Sequence, residues 1–142
     1  MKTEITTTDA QRTAAANWVA RFAERWAPLD AARLADLMHP DTSNLIPPMT
    51  APADRDGVVA HFAALQAQLP GLRLDVERWA VAGDAVFIEW LGSAQLGPHR
   101  LEWRGIDRVI LRGDRTVGGQ AFWDTRQLAE RVAALSADAH QR

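Results

Sequence analysis

The sequence predicts a single α+β domain in which helices fold over a curved antiparallel sheet to make a cone. Three observations in its 142 residues carry this. Apolar residues recur every three to four positions in the first half, the period of an amphipathic helix. From Leu72 onward they alternate, the period of a strand with one buried face. The alternating half is cut by Gly83-Asp84, Gly97-Pro98 and Gly113-Asp114 into four segments of strand length, so those segments form a meander. Helices segregated from an antiparallel sheet make an α+β fold. A sheet of such long strands curls, and its inner face becomes the wall of a cavity that the helices close.

Residues 9–26 read as the first helix. Asp9 is placed to cap it, and Trp18, Phe22 and Trp26 fall on one stripe. Pro28 ends it. A short second helix turns Leu34 and Leu37 inward and closes at Met38-His39-Pro40, because Pro40 drives His39 out of helical geometry. Leu45 and Ile46 form a short strand that Pro47 and Pro48 stop. The third helix covers 55–68 with Val58, Phe62 and Leu65 inward, and Leu69-Pro70-Gly71 ends it. The strands are expected at 72–81, 85–95, 99–111 and 116–124. A last amphipathic helix at 126–135 follows, built on Leu128, Val132 and Leu135. Residues 1–8 and 136–142 are polar and expected to be flexible. With no repeat and no linker, 1–142 reads as one domain.

Composition narrows the function. The chain has no cysteine, so disulfides, thiolate metal sites and cysteine nucleophiles are excluded. Net charge is −2 with the charges interspersed and Lys2 the sole lysine, so no basic stripe for nucleic acid exists. No run approaches the roughly 20 apolar residues of a membrane span, and no signal-peptide pattern opens the chain. A cytoplasmic protein is expected. The four histidines lack ligand spacing, so no metal is expected. There is no nucleophile elbow, phosphate loop or dinucleotide fingerprint. Six tryptophans and no tyrosine are present. The tryptophans read first as core, and ligand hydrogen bonds must come from other residues.

Three segments carry a resemblance: HPDTSNLIPP after the second helix, RDGVVAHFAALQAQLPGLRLDVERWAVAGDAVFIEW in the middle, and RGIDRVILRGDRTVGGQAFWDT near the end. In this order they resemble the SnoaL-like branch of the nuclear transport factor 2-like superfamily over nearly the whole chain. That superfamily includes polyketide cyclases, ketosteroid isomerases, limonene epoxide hydrolases and non-catalytic members. The resemblance implies an apolar small-molecule ligand in the cone and a homodimer through the outer face of the sheet. The cyclases' base, at the end of the last strand, falls on Asp124. The isomerase pattern needs a tyrosine that is absent. The epoxide hydrolase pattern finds carboxylates in Asp107 and Asp124 but also lacks its tyrosine.

Counting strand register sorts the side chains. A two-residue Gly113-Asp114 turn pairs Arg112 with Arg115 and sets Asp107 opposite Gln120, Gly105 opposite Phe122, and Trp103 opposite Asp124. Trp103, Asp107, Gln120, Phe122 and Asp124 then share a face with Ile88 and Trp90, and Trp123 points away. Phe87, Glu89, Leu91, Arg104, Ile106, Arg108 and Ile110 take the other face. A bulge in either hairpin would exchange the faces of that strand.

The candidate catalytic residues are therefore Asp124, Asp107 and His39. A carboxylate among aromatic rings is poorly solvated and becomes a better base near neutral pH. Each has a purely structural alternative. Asp124 can cap the last helix, Asp107 can pair with Arg104, Arg108 or Arg126, and His39 can bond to helix-terminal carbonyls. Trp18, Trp90, Trp103 and Phe122 are expected to wall the ligand site, with Asn44 and Gln120 donating to a ligand carbonyl. His61, next to the inward Phe62, is expected to be exposed or partly buried at the rim. Three functions follow: a cofactor-free acid-base enzyme acting beside a carbonyl, a non-catalytic binding or dimerisation domain, or an epoxide hydrolase with an arginine bridging its two acids.

Overall fold

The computed structural model describes residues 4–140, with side chains to residue 138. Helix α1 (Asp9–Trp26) has the expected bounds, but its N-cap is Thr8, one residue before the expected Asp9. The Thr8 hydroxyl accepts from the Gln11 amide at 3.1 Å, and the Gln11 side chain returns a 2.8 Å bond to the Thr8 amide. This capping box satisfies two orphan amides, which a lone Asp9 would not. Trp18, Val19, Phe22 and Trp26 are buried along one stripe of α1. A 3₁₀ helix (Ala32–Leu37) buries Leu34 and Leu37.

Strand β1 (Met38–Leu45) begins where the second helix was expected to fade. It is longer than the expected Leu45-Ile46 pair and runs parallel to the last strand, from Met38 beside Thr116 to Leu45 beside Gln120. Pro40 is tolerated because β1 is an edge strand, with one side of its backbone unpaired. Helix α2 (Arg55–Gln68) is capped by Asp54, whose carboxylate takes the Gly57 amide at 2.8 Å.

Strands β2 (Arg73–Ala82), β3 (Ala85–Leu96), β4 (His99–Arg112) and β5 (Arg115–Trp123) form the antiparallel meander, and the sheet order is β1-β5-β4-β3-β2. Gly113 holds φ of 65° and lets a two-residue turn bring Arg112 beside Arg115. The expected register fails two pairs further on. Leu111 lies beside Thr116, but Ile110 lies beside Gly118, so Val117 is an extra residue in β5. Asp107 therefore faces Ala121, and Gly105 faces Trp123. This bulge exchanges the faces of β5 beyond it. Ala121 and Trp123 turn inward, whereas Gln120 and Phe122 turn outward, and Phe122 is 45% exposed. The β3–β4 pairing has no break, so Ile88, Trp90, Trp103 and Asp107 share the inner face. Trp79 stands 39% exposed on the edge strand β2 and does not join the core.

Helix α3 (Thr125–His140) continues five residues past the expected end at Leu135. Ser136-Ala137-Asp138 contains no helix breaker, and Asp138 lies 3.6 Å from His99 Nε2. Arg131 adds a 2.8 Å bond to the carbonyl of Glu102. Of the termini expected to be flexible, residues 1–3 and 141–142 lie outside the described residues. At the other end, the Thr7 hydroxyl accepts the Gly83 amide at 2.8 Å. Among the described residues, no helix is long and apolar enough to cross a membrane.

Candidate functional site

The inner sheet face does not pack flush against the helices. A cavity of about 860 Å³ lies between them, walled by α1, α2, α3 and the inner residues of β3, β4 and β5. That volume suits a drug-sized or polycyclic molecule. What keeps it open is a pair of cross-strand partnerships. Trp90 lies beside Gly105, and Trp103 lies beside Gly92. Each indole lies over the glycine opposite. A Cβ on Gly105 would come within 2.3 Å of Trp90 Cζ2, and one on Gly92 within 2.6 Å of Trp103 Cε2. The missing side chains let both rings lie low on the sheet. Trp123 meets Trp90 edge-on at 6.1 Å.

Asp107 stands on this floor. Trp90 Nε1 donates to Asp107 Oδ1 at 3.0 Å. Its other oxygen has no protein partner among the described residues, and the residue lines the cavity. The expected ion pairs are absent because each arginine is engaged elsewhere. Arg104 binds Glu77, Arg108 donates to Gln120 at 3.0 Å, and Arg126 pairs with Glu130 at 2.9 Å. Arg104 and Arg108 belong to the outer face, so the sheet itself separates them from Asp107. Burial pushes the Asp107 carboxyl up to about 6, with the Trp90 hydrogen bond opposing the rise. The side chain keeps some accessible surface while being strongly desolvated. Its open side faces the apolar cavity.

The other candidates are placed differently. Asp124 is exposed and caps α3, accepting the Gln127 amide at 2.8 Å. The bulge turned its strand over, and the helix start then claimed its carboxylate. No arginine bridges Asp124 and Asp107 among the described residues, as an epoxide hydrolase arrangement would require. His39 is on β1, away from the cavity, with Nδ1 accepting the Asp41 amide at 3.1 Å. Phe122 is on the outer face, 5.6 Å beneath the Arg108 guanidinium. Gln120 borders the cavity, but its side-chain oxygen is taken by Arg108 across that outer face. Trp18 and Asn44 line the cavity with their donors committed to the protein. Trp18 Nε1 binds the carbonyl of Leu37 at 3.0 Å, and Asn44 Nδ2 binds Thr42 at 3.1 Å. Trp90 and Trp103 form the floor.

Trp123 and Ala121 are cavity residues that sequence counting missed, while His61 is partly buried at the cavity, one of the two placements expected for it. A signal for the first two was present. Gly118-Gly119 inside a strand is a usual mark of a bulge or a close backbone approach. A Cβ on Gly119 would meet Asn44 Oδ1 at 2.8 Å. His61 is half-buried on α2, and desolvation lowers its pKa. Among the described residues, no three His, Cys, Asp or Glu side chains gather as a metal site.

A family model described as SnoaL-like domain matches residues 19–118. No curated protein matches the sequence. Solved structures of the same shape include a proposed SnoaL-like polyketide cyclase from a Jannaschia species. It is 19% identical with a TM-score of 0.74, over 86% of this chain and 93% of that one. IdmH from Streptomyces antibioticus, also a proposed polyketide cyclase, is 18% identical with a TM-score of 0.73, over 84% and 98%. TerC, co-crystallised with polyporic acid, is 18% identical with a TM-score of 0.69, over 88% and 99%. At these identities the likeness is one of fold.

Proposed function

The chain belongs to the SnoaL-like domain family, and on that premise we propose that it binds an apolar carbonyl compound in the cavity and moves a proton at the adjacent carbon through Asp107. The observation that carries this is the Asp107 carboxyl, raised to about 6 and held by one indole N–H, with no cation beside it. A base whose pKa lies just below neutral is ionised at pH 7 yet still basic enough to take a proton. Asp107 accepts the proton of the C–H bond, and the electron pair moves into the enolate of the ligand. The neutral carboxylic acid then returns the proton to carbon, or the enolate carbon closes on a second carbonyl, whose π electrons move to oxygen and take the proton back from Asp107. Both routes are cofactor-free. The proposed activity of two neighbours as polyketide cyclases, and the polyporic acid bound to a third, support this class of ligand.

The test is proton exchange. Wild-type protein is expected to accelerate deuterium uptake at the acidic carbon of 2-tetralone, followed by NMR. The rate rises with pH through a midpoint near about 6 and then levels, as ionisation of Asp107 dictates. Binding of 2-tetralone without acceleration at any pH would assign the chain to the non-catalytic members instead.

We further infer a homodimer through the outer face. Phe87, Ile106 and Phe122 stand 39%, 44% and 45% exposed there; Ile106 pairs with Phe122 across β4 and β5, and Phe87 on β3 lies diagonal to Ile106. Bordering Arg78–Glu89 and Arg104–Glu77 pairs supply charges of both signs. Exposed apolar clusters rimmed by charge mark protein contacts. Light scattering is expected to give twice the chain mass for the wild type and the single mass for Ile106→Glu/Phe122→Glu. A monomeric wild type at about 100 μM would remove the dimer.

A further inference from the structure

The helical wall of the cavity holds a second polar group with no hydrogen-bond partner among the described residues. Helix α2 presents His61, Leu65 and Gln68 to the cavity at i, i+4 and i+7, one helical stripe. This stripe is unusual for a helix so central to the fold: Val58 is its one buried residue, and His61, Phe62 and Leu65 are only half-buried. They face the empty cavity. The His61 ring is nonetheless held in place. It meets Phe62 edge-on at 4.9 Å, Phe62 meets Trp26 at 4.8 Å, and Trp26 leads through Phe22 to Trp18. No hydrogen bond or ion pair engages its nitrogens among the described residues.

The imidazole is half-buried against the Phe62 ring, borders apolar space, and keeps its nitrogens open to a ligand. Several of the other polar cavity residues are already engaged. Trp18, Asn44 and Thr116 are satisfied by the protein, and Arg126 is paired with Glu130. Burial keeps His61 in its neutral form at pH 7, which both donates and accepts one hydrogen bond.

Resting on the acid-base reading of the cavity given above, we propose that His61 is the second polar contact of the ligand and hydrogen-bonds an oxygen at the end remote from Asp107. The ligand class is thereby narrowed to rigid apolar ring compounds with oxygen functions at both ends. The sheet supplies one contact and α2 the other, so the two oxygens must be separated by the ring body. A singly oxygenated molecule would satisfy Asp107 alone, and a flexible one would lose conformational freedom in reaching both. His61 is thus a specificity residue and takes no part in the proton transfer.

Calorimetric titration with 2-naphthol and a set of dihydroxynaphthalenes of differing oxygen spacing tests this. A naphthol hydroxyl mimics an enol at Asp107, and a second hydroxyl probes His61. At least one diol is expected to bind wild-type protein about tenfold more tightly than 2-naphthol, the gain from one neutral hydrogen bond. His61→Leu is expected to cancel that gain while leaving 2-naphthol within about twofold. His61→Gln, which keeps a donor and an acceptor, is expected to retain most of it. Equal binding of every diol and 2-naphthol by the wild type, or a diol preference unchanged in His61→Leu, would overturn the role of His61 alone. Failure of 2-naphthol itself to bind, or binding indifferent to Asp107→Asn, would remove the acid-base reading and this one with it.

Discussion

Asp107→Asn is expected to slow deuterium uptake into 2-tetralone by about 10²-fold or more, and at the same time to make the protein more stable at neutral pH. The amide fills the same space and still accepts from Trp90 Nε1, so the cavity floor is preserved. What is lost is the proton acceptor. The stability gain follows from the titration of the acid. Asp107 titrates at 3.8 in an ordinary environment and at about 6 in the fold. Below pH 4 it is neutral in both the folded and unfolded chain and has no effect on their balance. Between these values the folded protein keeps a proton that the unfolded chain releases, so stability falls as pH rises. Above pH 6 the loss is complete, at about 3 kcal/mol. Asparagine carries no such cost. In urea melts the wild type should lose stability from pH 4 to 6 relative to Asp107→Asn, and the two curves should run parallel above that. Coincident curves across the whole range would show that Asp107 is not desolvated in solution. A buried charge kept at a cost to stability is the trade expected of a residue retained for function.

Most of the fold was legible because it rests on local signals. Periodicity and the glycine turns placed α2, the four meander strands and the outer face on β3 and β4 correctly, since the β3–β4 hairpin has no bulge to disturb the count. The site was less legible, for two reasons. One is the additional residue Val117, which reversed β5, took Phe122 and Gln120 outside and brought Trp123 in. A period of two transmits a single slip to every following residue. The other is that the state of a carboxylate depends on where cations cannot reach. Three arginines suggested an ion pair, but Arg104 and Arg108, near Asp107 in sequence, stand on the opposite sheet face, and the more distant Arg126 pairs with its own helical neighbour. Asp124 illustrates the converse. Its place at the end of the last strand matched a catalytic position in related folds, yet the adjoining helix start holds its carboxylate as a cap. The parallel β1 was unreadable for a third reason. A strand interrupted by Pro40 and bounded by Pro47 reads as loop until its edge location is known.

Trp90→Phe is expected to move the pH profile upward, with the midpoint of the exchange rate rising from about 6 toward about 7. The reasoning turns on the two opposed influences on Asp107. Burial raises its pKa, and the indole N–H lowers it by stabilising the carboxylate. Phenylalanine keeps an aromatic ring over Gly105, where only a side chain from β3 can fill the hollow, and therefore keeps the burial. It removes the donor. A hydrogen bond to a charged group contributes about 1.5–3 kcal/mol, and partial replacement by water in the cavity reduces the net change to roughly one pH unit. Two consequences can be read in one experiment. At pH 6.5 the variant should be slower than wild type, because less of Asp107 is ionised. Above pH 8, where both are fully ionised, it should match or exceed the wild type, because the freed carboxylate is the stronger base. The crossing of the two profiles is what separates this account from simple damage to the cavity, which would lower the rate at every pH. If the midpoint stays at its wild-type value, Trp90 does not govern the charge of Asp107, and the hydrogen bond between them serves packing alone.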